Sequence, residues 1–450
     1  MQLSGWGNYP AVQADVLAPA SAAELQSLLA HNAYGNWICR GGGRSYGDSA
    51  LNGRVVSSRY LDHFLDIDED AATVRCGSGV SLGQVLEVVI PRGLFPPVLP
   101  GTKHVSIGGA IAADIHGKNH HVEGSFCDHL ESFSLLLADG SILRCSAAEN
   151  AGLFHATCGG MGLTGIILDA TLHLNKVSSV SINNRSFSAK NLQHCLELLD
   201  EHNAARYVVA WLDCLKQGED LGRGIVYVGD HGDDDNLQLV KRRGLSVPFH
   251  TPGFFLNRFT MSQFNNLYAS WNKGRGDTTL QNYEQFFFPL DSIGNWNRLY
   301  GRKGFLQYQV LVPTEAKEIL SRIIRRVAES GQGSFLSVLK KFGKANNNPL
   351  SFPSAGYTLT LDFRWRESLF PLLDELDALV LGCGGRHYLA KDARLSESSF
   401  KTGYPRWQEF MQVKAEVDPH NRFASLQSQR LGLTPVSTSH SSHKKAGPDK

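Results

Sequence analysis

One short stretch, Arg40-Gly41-Gly42-Gly43-Arg44-Ser45-Tyr46-Gly47-Asp48-Ser49-Ala50, constrains this chain more than any other. It follows directly on an apolar run, Trp37-Ile38-Cys39. A loop this dense in glycine lets backbone N–H groups approach a phosphate closely, because no Cβ intervenes. Its arginines and aspartate suit a large polar ligand. The spacing departs from the usual dinucleotide fingerprint, GxGxxG opening a helix with an acidic residue about 20 positions on. Here Tyr46-Gly47-Asp48-Ser49 reads as loop. A diphosphate cradle of another kind is expected, with its second half elsewhere in the chain.

That second half is PGTKHVSIGGAIAADIHGKNHH, residues 100–121, where small side chains dominate from Ser106 to Ala113 and leave room for a flat or bulky ligand. A third cluster, Cys158-Gly159-Gly160-Met161-Gly162-Leu163-Thr164-Gly165-Ile166, follows. Any one cluster could be a tight turn or a barrel corner; all of them between Arg40 and Ile166 are hard to explain that way.

Composition sets the frame. The 450 residues suffice for two or three domains, and 42% hydrophobic with 19% charged residues is ordinary for a globular chain. A net charge of +1 gives no global electrostatic case for nucleic acid. No window reaches the roughly 18 uncharged apolar residues of a spanning helix. The opening MQLSGWGNYPAVQADVL has neither a basic start nor an apolar core, so no Sec signal is expected and a cytoplasmic location is the default. The eight cysteines are dispersed without a CxxC, which suggests reduced, mostly buried thiols.

Helix signals stand at 21–35 (Ser21 as N-cap, Glu24 three residues on) and 81–90, which Pro91-Arg92-Gly93 ends. Residues 132–145 read as a hairpin turning at Asp139-Gly140, and 166–174 as a strand. Beyond about residue 176 the glycine clusters vanish. Aromatic-rich strands are expected at 207–212, 284–288, 305–312 and 356–363, with helices at 189–203, 313–330 and 366–381. Residues 241–275 stand apart, with Lys241-Arg242-Arg243 preceding Phe249, Phe254, Phe255, Leu256 and Phe259 at no clear period. The expected division is 1–176, 177–385, a return to the first domain over 386–433, and a disordered tail over 434–450. The class is α+β, a second sheet backed by helices following the glycine-rich domain.

The three clusters, in this order and spacing, resemble the vanillyl-alcohol-oxidase (PCMH) type of FAD-binding fold. With GGMGLTGI, WNRLYG, FLQYQ, PLSFP, AKDAR and VDPHNRFAS, the chain is similar over about residues 5–430 to the decaprenylphosphoryl-β-D-ribose 2′-oxidase family. That resemblance implies FAD-dependent oxidation of the ribose 2′-hydroxyl of a polyprenyl-phosphate sugar to a ketone. A partner short-chain reductase would complete epimerisation to the arabinose form. It also implies contact with a membrane, so peripheral attachment at the inner membrane is expected, through residues 241–275.

The resemblance assigns cofactor contacts to Arg40, Gly41, Gly42, Gly43, Arg44, Ser45, Tyr46 and Gly47, and to Gly101, Ser106, Ile107, Gly108, Gly109, Ala113, Asp114, Ile115, His116 and Gly117, with Ile166 and Tyr388. Many flavoproteins of this fold attach FAD through a His in the first loop. Arg44 stands near that position, so non-covalent FAD is expected. Lys391 and His116 are the catalytic candidates, and Tyr46, Lys118, Gln307, Gln309, Lys340, Phe342, Thr360 and Lys391 the substrate-binding ones. A lysine desolvated beside a flavin can lose its proton and act as a base. FLQYQ alternates, so Gln307 and Gln309 share a face where their amides could read sugar hydroxyls, or could simply be exposed strand polars. The chain departs from the family at Thr360, where a Cys is frequent, and at Phe287, where a Tyr is common.

Other readings of these residues remain open. His116, His120, His121, Cys127 and His129 cluster without matching a closed zinc pattern, so no metal is expected. An alditol or aldonolactone oxidase would use the same fold on a soluble sugar. A non-catalytic flavin-binding subunit would need neither His116 nor Lys391.

Overall fold

A computed structural model describes residues 1–31, 35–240, 245–252, 256–272, 275–334 and 336–436. The N-terminal body holds two sheets. Ile38–Arg40, Arg54–Ser57 and Asp15–Leu17 pair in parallel, so the glycine loop leaves the end of a buried strand. The second sheet is antiparallel, in the order Ile142–Cys145, Leu130–Leu136, Ile166–His173, Thr73–Gly77 and Phe64–Asp68.

Local signals account for much of this. Ser81 caps the helix Leu82–Val89 in a reciprocal capping box with Gln84, which satisfies two backbone donors at once. Ser21 caps Ala22–His31 in a similar way, its hydroxyl accepting from Glu24 N at 3.1 Å. The hairpin turns at Asp139-Gly140, where Gly140 has φ +90°.

The second body is one eight-stranded antiparallel sheet in the order Arg275–Asn282, Ser181–Ala189, Gly224–His231, Tyr207–Leu212, Ser337–Phe342, Gly356–Arg364, Phe305–Pro313, Arg386–His387. One face packs under the helices Leu192–Glu201, Glu318–Ser330 and Phe370–Gly382 through residues such as Ala210, Leu339, Leu359 and Val310. The other face turns toward the N-terminal body. Register places Trp211 opposite Val338, Val338 opposite Thr360, and Thr360 opposite Gln309, so these side chains form a row on that face.

Several expectations are corrected. Residues 284–288, expected as a strand, lie in the helix Tyr283–Phe287 and the turn after it; Asn282 caps it, accepting from Glu284 N at 2.8 Å. Its run of aromatics is buried on more than one side, which a half-buried strand would not allow. Residues 241–275, expected without period, include the helix Arg258–Trp271. Lys241, Arg242, Arg243, Phe254 and Phe255 of that segment lie outside the described residues. Just after the last strand of the large sheet, Arg386–His387, Tyr388 meets the N-terminal body by donating to the Ala113 carbonyl. Thr434, expected to open a disordered tail, is buried and its hydroxyl meets Ser428 Oγ at 2.6 Å; residues 437–450 lie outside the described residues.

Candidate active site

Two glycine-rich loops and one sheet face meet between the bodies. Arg40 anchors the first loop by donating to the Ser4 carbonyl at 2.8 Å. Gly43 takes φ +63°, where a side chain would be strained. At Gly47 an added Cβ would stand 1.8 Å from the Asp392 carbonyl oxygen, and Tyr46 N donates to the Ala390 carbonyl at 2.9 Å. Glycine at 47 therefore lets the first loop lie directly against the loop that carries Lys391. In the second stretch Ser106 caps the short helix Ile107–Ala112, which follows the strand-like crossing of Ser106 and Ser81.

The cradle has unmet polarity that suits a cofactor. Arg44 Nε, behind a guanidinium stacked 4.4 Å over Trp6, is buried without a partner among the described residues. So is Ser78 Oγ, beside Gly108. Buried polar atoms are rarely left unpaired, so these fit a polar ligand running along the groove. A Cβ at Gly101 would meet no protein atom within 4 Å, while other expected contacts have protein partners. The Asp114 carboxylate is fully engaged, accepting from Cys127 N (3.0 Å), Asn346 (2.8 Å), Asn348 (3.0 Å) and Ser351 (2.6 Å). Tyr388 donates to the Ala113 carbonyl at 3.0 Å and stacks on Phe352. Both residues tie the two bodies together. Ile115 and Gly117 flank His116 in the same buried turn, and Ile166 opens its strand behind the cradle.

His116 is buried, with Phe342 at 4.7 Å edge-on and Tyr388 at 5.3 Å. Gln309 Nε2 lies 3.0 Å from His116 Nε2, and Lys340 Nζ lies 3.3 Å from Nδ1. Burial, then the charges of Lys340, His120 and Lys391, holds this imidazole well below its ordinary pKa. It is neutral at physiological pH. With an amide and an amine already on its ring nitrogens, it is a fixed hydrogen-bonding post, not a group in titration.

Three lysines converge around it. Desolvation, with the charge of Lys340 adding to it, lowers Lys391 and Lys118 to about 7, and desolvation lowers Lys340 to about 8. Lys391 Nζ sits 3.9 Å over the Tyr46 ring. Lys118 donates to the Phe286 carbonyl and lies over the Phe286 ring at 4.2 Å. Thr360 stands opposite Gln309 on the adjoining strand.

Sequence reasoning missed Asp362. It is buried, accepts from Gln307 Nε2 at 2.6 Å, and is pushed up to about 7 by burial against the pull of Gln307, Lys391 and Tyr300. Gln307 also faces the Tyr46 hydroxyl. Alternation puts Thr358, Thr360 and Asp362 on one face of their strand, but only the register sets that face beside Gln307 and Gln309. The clustered histidines instead part company, His121 bonding the Ala205 carbonyl and His129 the Glu123 carbonyl. Among the described residues no group of His, Cys, Asp or Glu could hold a metal ion.

The FAD binding domain family matches residues 14–146, and the D-arabinono-1,4-lactone oxidase family matches 367–431. The decaprenylphosphoryl-beta-D-ribose oxidase of Mycolicibacterium smegmatis is 38% identical over 449 residues, covering 96% of this chain and 97% of its own. The alditol oxidase of a Streptomyces species is 25% identical over 439 residues, 94% and 97% of the two chains. Mouse L-gulonolactone oxidase is 29% identical over 189 residues, 41% and 42%. The groove, the sheet face and these relatives agree: the chain belongs to the decaprenylphosphoryl-β-D-ribose oxidase family, FAD-dependent oxidoreductases of the two-domain α+β, PCMH type.

Proposed function

We propose that the protein oxidises the ribose 2′-hydroxyl of a polyprenyl-phosphoryl-β-D-ribose to the 2′-keto sugar. The observation that carries this reading is the lysine cluster. Lys118, Lys340 and Lys391 share one cleft with a single buried carboxylate, Asp362, among the groups that shift them. Mutually repelling, desolvated amines are relieved by an anion, and a phosphodiester is one. A neutral alditol or lactone would leave that repulsion in place.

FAD, when bound, supplies the two-electron acceptor for a secondary alcohol. We assign it, non-covalently, to the groove formed by residues 40–47 and 106–117. Lys391, already lowered to about 7, takes the hydroxyl proton as general base. Asp362 faces it as the counter-charge. Neutral His116, both ring nitrogens engaged, positions Gln309 and Lys340; Gln309 holds the sugar through its amide oxygen, and Lys340 with Lys118 holds the phosphate. The ketone product requires a reductase to become the epimeric alcohol, and a short-chain reductase is the partner class we assign.

Anaerobic flavin bleaching tests this. Polyprenyl-phosphoryl ribose should bleach the flavin at concentrations where aldonolactones and alditols do not. Lys340→Met should raise KM for the phosphosugar by roughly 30-fold or more, since an unpaired buried charge costs about 2–5 kcal/mol. Bleaching by a lactone or alditol and not by the phosphosugar would overturn the assignment in favour of the soluble-sugar oxidases.

A further inference from the structure

The helix Arg258–Trp271 is inside out. Its asparagines face the protein: Asn265, fully buried, donates to Asp213 Oδ1 at 2.8 Å, and Asn266 accepts from Arg223 at 2.6 Å. Tyr268 packs on Trp211 at 4.7 Å and meets the Tyr227 hydroxyl at 3.0 Å. Its apolar residues face outward: Phe259 is 71% exposed, Leu267 50% and Trp271 82%, with Phe264 beside them. They share an arc of roughly 140° with Thr260, Gln263 and Ser270. Scattered exposed apolar residues are normal, but a helix that turns its asparagines in and its aromatics out has been built for something other than water.

Its position narrows what that is. Trp211, which the helix covers, ends the row that runs through Val338 and Thr360 to Gln309. At about 4.8 Å per strand the helix therefore borders the candidate site at roughly 14 Å from Gln309. Leu256, just before the helix, packs into the aromatic cluster that includes Tyr46. The helix carries no Asp or Glu and one charge, Arg258, and Arg366 reaches the Leu256 carbonyl beside it. Lys303 lies over Trp365 next to Arg366. An apolar face rimmed by cations is complementary to an anionic lipid surface. Among the described residues no helix is long and apolar enough to cross a membrane.

We infer that the outward face of Arg258–Trp271 docks on the lipid bilayer and sets the mouth of the active site at its surface. The inference rests on the polyprenyl-phosphate reading above: the substrate's chain would stay in lipid while its sugar reaches Gln309 along the Val338–Trp211 edge.

The test is flotation of FAD-loaded protein with vesicles of phosphatidylglycerol and phosphatidylcholine, comparing the wild-type chain with the triple variant Phe259→Ser, Leu267→Ser, Trp271→Ser. These side chains are exposed, so the variant should keep its flavin and its melting temperature. Wild-type protein should float, and the variant should lose about tenfold or more of its partitioning. Turnover of a short-chain, water-soluble phosphoryl ribose should be unchanged, while KM for a long-chain substrate in vesicles rises. Equal flotation of both proteins, or flotation of neither, overturns the docking surface. So does a dimer in the wild type that the variant converts to monomer without a change in flotation, which would make this face a contact between copies. Failure of the short-chain phosphoryl ribose to bleach either protein would sink the substrate reading and leave the flotation result standing.

Discussion

Lys391 and Asp362 make a pair in which each group's charge depends on the other. Asp362 raises the lysine's proton affinity, and Lys391 lowers that of the carboxyl, while burial acts oppositely on both. The macroscopic titration belongs to the pair. A base must be neutral to accept a proton, so kcat/KM for flavin reduction should rise as pH climbs through about 7. Asp362→Asn removes the negative charge that favours the protonated amine. The rising limb should then move to lower pH, and stopped-flow flavin reduction across neutral pH reads this directly. A limb that stays put or moves upward would show that Lys391 is not the titrating group. Lys391→Ala should slow flavin reduction about 10²–10⁴-fold with FAD still bound. Lys391 was legible through its motif. Asp362 was not singled out, because Thr358-Leu359-Thr360-Leu361-Asp362 reads as an ordinary strand until its register against Gln307 and Gln309 is known.

At the scale of elements, the site depends on two loops and a helix joined beside the reacting groups. Arg430, at the end of the helix Leu426–Arg430, donates to Asp48 Oδ1 at 2.7 Å and to Asp392 Oδ2 at 2.9 Å. Asp48 follows Gly47 in the glycine loop, and Asp392 follows Lys391. One guanidinium thus sets the spacing between Tyr46 and the lysine that lies over its ring. Arg430→Ala should cost about 3–5 kcal/mol by leaving two buried carboxylates unpaired. It should also lower kcat for flavin reduction, through the displaced Tyr46–Lys391 contact. Arg430→Lys should recover only part of both, because an ammonium cannot span two carboxylates as a planar fork does. A normal melting curve with normal kcat in the alanine variant would remove Arg430 from this role. Elements whose signal is local were readable from sequence: Ser81 with Gln84, and Asp139-Gly140. Tyr283–Phe287 and Arg258–Trp271 were not. In both, what surrounds the aromatic residues decides the structure, and the residue pattern alone does not reveal it.

For the whole molecule, the cleft is closed by contacts between residues more than two hundred positions apart. Asp114 gathers Asn346, Asn348 and Ser351, and Tyr388 reaches the Ala113 carbonyl. Nothing in a single sequence pairs those positions, whereas the order of glycine clusters made the cofactor class readable. The groove between these contacts still leaves Arg44 Nε and Ser78 Oγ unpartnered, so a ligand that completes them should stabilise the closed arrangement. With Arg44 near the position where a linking His would be expected, FAD should leave the polypeptide on acid or heat denaturation and appear in the supernatant. The apoprotein should melt lower, and added FAD should raise its melting temperature with concentration. Binding to the native state alone contributes about 2.7 kcal/mol at a hundred times Kd. Flavin that remains with the precipitated chain would contradict the non-covalent assignment. A melting temperature indifferent to FAD would mean that the two bodies hold their cleft by protein contacts alone, with Asp114 and Tyr388 sufficient to close it.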